Sequence, residues 1–213
     1  MRTIQVTGSG RMKLRPDTTR LTLTLSGVEP EYDAALSASA DGTKALGAAL
    51  EPVGIAPGEL KTQTFHITTE YEGYEENGRW KQRFLGYRYL HVLVVDFDAD
   101  NQLLGRILGA LAECPANAEL QIAYTVRDPE RAKTALLAAA VADAGTKARA
   151  LAEAAGVTLK TLQSIDYSRG EQRFAVPTMD ALARPTAKAN FELDIVPEDI
   201  DVSDTVTIVW EIG

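Results

Sequence analysis

The sequence predicts an α+β fold of two lobes, each of mainly antiparallel sheet with helices packed on one face. Three observations predict it. Apolar and polar residues alternate along several separate runs, the period-two pattern of half-buried strands. Other stretches carry apolar residues at three- and four-residue steps, the spacing of one buried helix face. The order of these patterns is β-β-α-β-β, then α-β-α-β and a last β, which lacks the strict alternation of a dinucleotide-type sheet.

The first run places Ile4, Val6, Met12 and Leu14 on one side, with Thr3, Gln5 and Thr7 opposite. Gly8 and Gly10 interrupt the apolar row, the mark of a bulge or of a close backbone neighbour. Pro16-Asp17 makes a turn, and Leu21, Leu23 and Leu25 resume the alternation. Tyr32, Leu36, Thr43, Leu46, Leu50 and Val53 then share a helical face, opened at Glu29-Pro30-Glu31 and closed at Gly54. Leu60 to Tyr71 and Arg83 to Phe97 read as the arms of a long hairpin, with Asn77-Gly78 the tight-turn signal between them. On the second arm, parity groups Leu85, Tyr87, Tyr89, His91, Leu93, Val95 and Phe97 on one face. Phe84, Leu90, Val92 and Val94 fall on the other, so its far half is expected to be covered on both sides.

Asp98 or Asp100 can cap a short helix carrying Leu103, Leu104, Ile107, Leu108 and Leu111 and ended by Cys114-Pro115. Leu120, Ile122, Tyr124 and Val126 form a strand. Asp128-Pro129-Glu130 starts a helix with cap, rigid first position and acid in order, and Gly156 ends it. Small residues at Ala135, Ala139, Ala144, Ala148 and Ala152 let this helix approach a sheet closely, and Asp143 and Lys147 read as a structural pair on its surface. Leu159 to Tyr167 resembles another strand, Ser168 to Asn190 a mobile loop, and Val202, Val206, Ile208, Trp210 and Ile212 a closing strand. The expected lobes are residues 1–97 and 98–213, with the last strand free to pair across them.

The bulk numbers remove several function classes. With 213 residues, 45% apolar and 24% charged, the chain is an ordinary globular protein and not a disordered or fibrous one. A net charge of −8 argues against a general grip on nucleic acid or anionic lipid. One cysteine, Cys114, permits no intrachain disulfide. The amino terminus has no apolar run and no stretch reaches the ~20 residues of a spanning helix, so a cytoplasmic location and no membrane span are expected.

Reactive residues are sparse. His66 and His91 lie on opposite arms of the hairpin, where they could approach each other, but no third ligand stands at metal spacing and no metal or cofactor is expected. Cys114 sits near a helix end, where the dipole disfavours a thiolate. Gly8-Ser9-Gly10 leads into more strand and not into the helix that a phosphate loop requires. Asp96, Asp98 and Asp100 read as capping residues, and Glu198, Asp199, Asp201 and Asp204 as solvated acids without the pattern of a calcium loop. No catalytic residue is assigned.

The hairpin tip is the most unusual surface. Tyr71, Tyr74, Trp80, Phe84, Tyr87 and Tyr89 interleave with Arg79, Lys81, Arg83 and Arg88, and Glu70, Glu72, Glu75 and Glu76 balance the cations. Aromatic rings with arginine suit single-stranded nucleic acid or a protein interface, and the local neutrality favours the protein. Tyr71, Tyr74, Trp80, Arg83 and Phe84 are the interface candidates.

The ordered set Ile4-Gln5-Val6-Thr7-Gly8-Ser9-Gly10, Pro16-Asp17, Leu21-Thr22-Leu23, Gly54-Ile55, Leu60-Lys61-Thr62, Gly86-Tyr87-Arg88 and Ala139…Asp143-Ala144…Lys147-Ala148…Leu151-Ala152…Gly156 resembles the SIMPL family. That family comprises bacterial periplasmic and cytoplasmic proteins of poorly known function and an animal signalling adaptor. The resemblance implies an α+β protomer that assembles into symmetric oligomers, and links to envelope or oxidative stress. It carries no catalytic residues. The expected function is therefore that of a non-enzymatic, self-associating scaffold or protein-binding module, related to stress. The rivals are a small-molecule or metal-dependent enzyme with a pocket between the lobes, using His66, His91 and an acid, and a single-stranded nucleic-acid binder using the hairpin over residues 71–89.

Overall fold

The computed structural model describes residues 2–167, 174–181 and 195–213. The elements are β1 (Thr3–Leu14), β2 (Thr18–Glu29), α1 (Tyr32–Leu50), β3 (Lys61–Glu76), β4 (Arg79–Asp98), α2 (Asn101–Ala112), β5 (Glu119–Thr125), α3 (Pro129–Ala154), β6 (Leu159–Asp166), β7 (Ala175–Ala181) and β8 (Ile200–Ile212). They form two sheets, ordered β1-β8-β6 and β3-β4-β2-β5-β7, with antiparallel pairing at β1·β8, β6·β8, β2·β4 and β3·β4. This is the expected α+β class.

The lobe boundary expected after residue 97 lies elsewhere. One compact unit gathers Met1–Asp17, Thr125–Val176 and Pro197–Gly213; the other gathers Thr18–Tyr124 and Pro177–Val196. Pairing of the first strand with the last explains the difference: Ile4 lies opposite Trp210, Val6 opposite Ile208 and Gly8 opposite Val206. Most of the expected loop from Ser168 to Asn190 lies outside the described residues, but Ala175–Ala181 within it is a strand. Pro177 suits that place, because a strand at the end of a sheet can spare the missing N–H.

In the first unit, α3 lies on one face of the three-stranded sheet. Val6, Val206, Ile208 and Trp210 meet Ala140, Ala144 and Ala148, while Ile200, Val202 and Phe174 meet Ala132 and Leu136. The buried row of the helix is Ala132, Leu136, Ala140, Ala144, Ala148 and Ala152. It advances by four residues each time, a ridge inclined to the helix axis. Ala135 and Ala139, expected in this row, are exposed instead. The glycines of β1 set the spacing. A Cβ on Gly8 would lie 2.1 Å from the Ala140 carbonyl oxygen, and one on Gly10 would lie 2.2 Å from that of Leu136. The helix backbone therefore rests directly on the strand. Gly8-Ser9-Gly10 marks a close backbone neighbour.

The same helix closes the outer edge of β1, the terminal strand of its sheet. The Ser9 N–H donates to Asp143 Oδ2 at 2.7 Å, and Lys147 Nζ donates to the Thr7 carbonyl at 3.3 Å while pairing with Asp143 at 2.7 Å. Lys147 first, and then the Ser9 N–H, hold the Asp143 carboxyl below its ordinary pKa. Two backbone groups that a neighbouring strand could otherwise claim are thus occupied. Asp143 and Lys147 are a structural pair, as their spacing indicated.

The second unit packs α1 and α2 over Leu21, Leu23, Leu25, Leu93, Val95, Phe97, Ile122 and Tyr124, with Leu46, Leu50, Leu104, Ile107 and Cys114 in the same core. Asp100, and not Asp98, caps α2 through the Gln102 and Leu103 N–H groups, and Asp128 caps α3 in the first unit. Asp96 instead forms a two-point pair with Arg20, both contacts at 2.7 Å. Leu90, Val92 and Val94, expected to be covered, are only half-buried, because α1 lies on the opposite face of β4. No helix among the described residues is long and apolar enough to cross a membrane.

Replacing Gly8 by Ala forces a methyl group into the α3 backbone and should cost about 3 kcal/mol, the upper range for overpacking. Gly145, in the same helix with nothing within 4 Å of a built Cβ, should gain about 0.5–1 kcal/mol on replacement by Ala. Denaturant unfolding of both variants checks the pair; equal effects would mean that the helix does not touch β1.

Candidate functional site: the two-faced hairpin arm

The hairpin is longer than its sequence pattern suggested. β3 and β4 pair down to Glu76 opposite Arg79, so the tip is only the two-residue turn Asn77-Gly78. Both turn residues have positive φ, 53° and 72°, the conformation that matches the twist of hairpin strands and that Asn-Gly favours.

Two bulges decide which side chains share a face. Glu70 lies opposite Gly86 but Tyr71 lies opposite Phe84, leaving Leu85 unpaired. Gly86 has φ 147°, and a Cβ there would lie 2.3 Å from the Glu29 carbonyl oxygen, so the position requires glycine. The extra residue moves Phe84 onto the face of Tyr87, contrary to the alternation expected from parity. Edge-to-face ring contacts then run from Tyr32 on α1 to Tyr87 (5.8 Å), to Phe84 (5.4 Å) and to Tyr71 (5.5 Å). Trp80 continues the row over Gly73, where a Cβ would stand 3.6 Å from the indole, an ordinary contact. These rings are open to solvent: Trp80 is 78% exposed, Tyr71 53%, Tyr32 50% and Phe84 44%.

The reverse face carries the charges. Arg88 makes a two-point pair with Glu70 at 2.8 Å, Arg83 pairs with Glu72, and Lys81 with Glu76. The Arg88 guanidinium holds Glu70 below the ordinary carboxylate pKa. Of the interface candidates, Tyr71, Trp80 and Phe84 therefore share one face, while Tyr74 and Arg83 belong to the other. Sequence reasoning counted Tyr87 in the aromatic surface but not among the interface candidates, and it missed Tyr32. Their signal was the glycine at 86, which can mark a bulge.

The two histidines do not form a site. His91 lies opposite Phe65 and faces α1, whereas His66 lies opposite Leu90 on the other face of the sheet. His91 Nδ1 lies 3.0 Å from Ser39 Oγ and 3.2 Å from Thr43 Oγ1, its Nε2 lies 2.8 Å from Thr62 Oγ1, and the Phe65 ring stands edge-on at 5.0 Å. The second bulge, at Gln63, brings Thr62 to that side. Both ring nitrogens are satisfied by hydroxyls, and burial lowers the pKa of His91. Among the described residues no group of three His, Cys, Asp or Glu is placed to hold a metal ion. Cys114 is buried in the core of the second unit. Asp204 is buried and accepts from the Tyr167 hydroxyl at 2.9 Å, and Asp201 lies 3.8 Å from Lys13.

The family model described as SIMPL, protein of unknown function (DUF541), matches residues 4–210. The chain belongs to the SIMPL family. A comparison with curated proteins finds no match. The family description assigns no activity, so the arm of this SIMPL chain is read from its own chemistry.

The folded state holds the His91 proton less tightly than the unfolded chain does, so neutral His91 contributes stability that is present above the ordinary imidazole value and lost as pH falls through the lowered one. Thermal melts of the wild type should therefore decline below about pH 6.5 more steeply than those of His91→Gln. Parallel pH profiles would show that His91 is not desolvated.

Proposed function

We propose that this SIMPL chain is a non-enzymatic, self-associating scaffold or protein-binding module that docks through the aromatic face of its β3–β4 arm. The observation that carries this reading is the separation of the arm into two faces: rings exposed on one, ion pairs on the other. Exposed rings in a continuous row are costly to leave in water, and Tyr and Trp dominate the energetics of protein interfaces. Arg83, Lys81 and Arg88 each already hold a carboxylate, which disfavours a nucleic-acid partner because phosphate contacts need uncommitted cations. The histidine placement removes the pair on which a metal-dependent enzyme was to rest. A role in stress follows from the family resemblance and not from the arm.

Replacing Tyr74 to Arg83 by a short Asn-Gly turn removes Trp80 while leaving the core of the second unit intact. Light scattering after size exclusion should show a multimer for the full chain at micromolar concentration and a lower mass for the shortened one. A monomeric full chain contradicts self-association, and an unchanged mass contradicts the arm as its surface.

A further inference from the structure

We infer that the open edge of β3 takes up a segment of a partner protein as an added antiparallel strand, one that alternates basic with apolar residues. The inference rests on the protein-binding half of the reading above and names the partner's chemistry. It uses the strand edge, where that reading uses the ring face.

β3 is the terminal strand of its sheet and pairs with β4 alone. From Thr64 to Glu76 it has no bulge of its own, because the extra residue Leu85 belongs to β4. Its residues are exposed except Ile67 and Glu70, which are half-buried. Among the described residues nothing outside β4 bonds to its backbone, whereas Asp143 and Lys147 close the edge of β1. Residues of an antiparallel ladder alternate between bonding the neighbour and turning away from it. The two-residue turn makes Glu76 and Arg79 a bonded pair, so Thr69, Tyr71, Gly73 and Glu75 turn their N–H and C=O groups to the open edge. These are the groups that an added strand uses, and antiparallel addition is the more stable kind.

Charge and alternation select the partner. β3 carries Glu70, Glu72, Glu75 and Glu76 against Lys61 alone. Pairing this stretch with its own copy sets acid against acid, which destabilises a sheet. A basic strand meets the opposite condition. Glu72 and Glu76 each give Oε2 to Arg83 and Lys81, so Oε1 is open to a second cation, and Glu75 makes no ion pair among the described residues. Basic side chains on the charged face of the added strand stand about 5 Å from these acids between Cβ atoms. The alternate residues fall beside Phe65, Ile67 and Tyr71 on the ring side, where Phe65 and Tyr71 are exposed.

A labelled decapeptide alternating valine and lysine, titrated with the full chain and read by fluorescence anisotropy, tests the inference. It should bind roughly tenfold tighter than its valine–glutamate counterpart, and Glu75→Lys should weaken it about two- to fivefold. An acidic chain attracts any basic peptide, so the backbone decides the mode. Thr69→Pro removes one outward N–H and should weaken binding roughly tenfold while leaving the melting temperature near that of the wild type, because an edge strand tolerates proline there. N-methylation of a central valine, whose N–H faces β3 in the antiparallel register, should act likewise; N-methylation of a central lysine, whose N–H faces away, should not. The methylated peptides need no protein variant and decide the matter if Thr69→Pro does not fold. Absent or equal binding of the two decapeptides, indifference to Thr69→Pro or to the valine methyl group, or equal loss from both methyl groups overturns the added strand and leaves ring-face docking standing. A monomeric full chain that binds the lysine peptide as described overturns self-association alone.

Discussion

Leu85 has no partner across β3, and that one unpaired residue sorts the arm's side chains into their two faces. Without it, strict alternation would send Trp80 and Phe84 to the side opposite Tyr87, and the arm would show rings and charges mixed on both surfaces. With it, Tyr32, Tyr87, Phe84, Tyr71 and Trp80 line up, and Glu70, Glu72 and Glu76 meet Arg88, Arg83 and Lys81 behind them. The bulge is in turn held by Gly86, whose conformation and contact with the Glu29 carbonyl admit no side chain. A local backbone choice thus determines a chemical property of the whole arm.

The first unit shows the same economy with a different device. Gly8 and Gly10 remove the side chains that would hold α3 away from β1, and the four-residue row of small side chains on the helix completes the approach. Close approach also brings Asp143 and Lys147 within reach of the strand edge, where they bind Ser9 and Thr7. Edge protection in this unit contrasts with β3, an edge strand whose residues are exposed nearly throughout. One sheet edge is closed by the chain itself; the arm is left available.

Much of this was legible in the residues. Asp128-Pro129, Asp100 and Asn77-Gly78 marked element ends through local chemistry that no distant contact alters. The face of α3 was less legible, because an alanine-rich helix offers little contrast between its sides; Ala140 is buried and Ala139 is not. Parity failed at Phe84 because a bulge shifts the count, and the strands alone do not say which residue is skipped. Pairing of β1 with β8, at opposite ends of the chain, governs the division into units and leaves no local trace. The histidines were placed on the correct strands, but their faces follow from register, which Leu85 alters.

Docking through one face of the arm makes a prediction that hydroxyl-radical footprinting reads residue by residue. As concentration rises from nanomolar to micromolar, Tyr71, Trp80 and Phe84 should lose reactivity together, while Tyr74, on the charged face of the same strands, keeps its own. Equal reactivity of all four side chains at every concentration, or protection of Tyr74 alone, would contradict it.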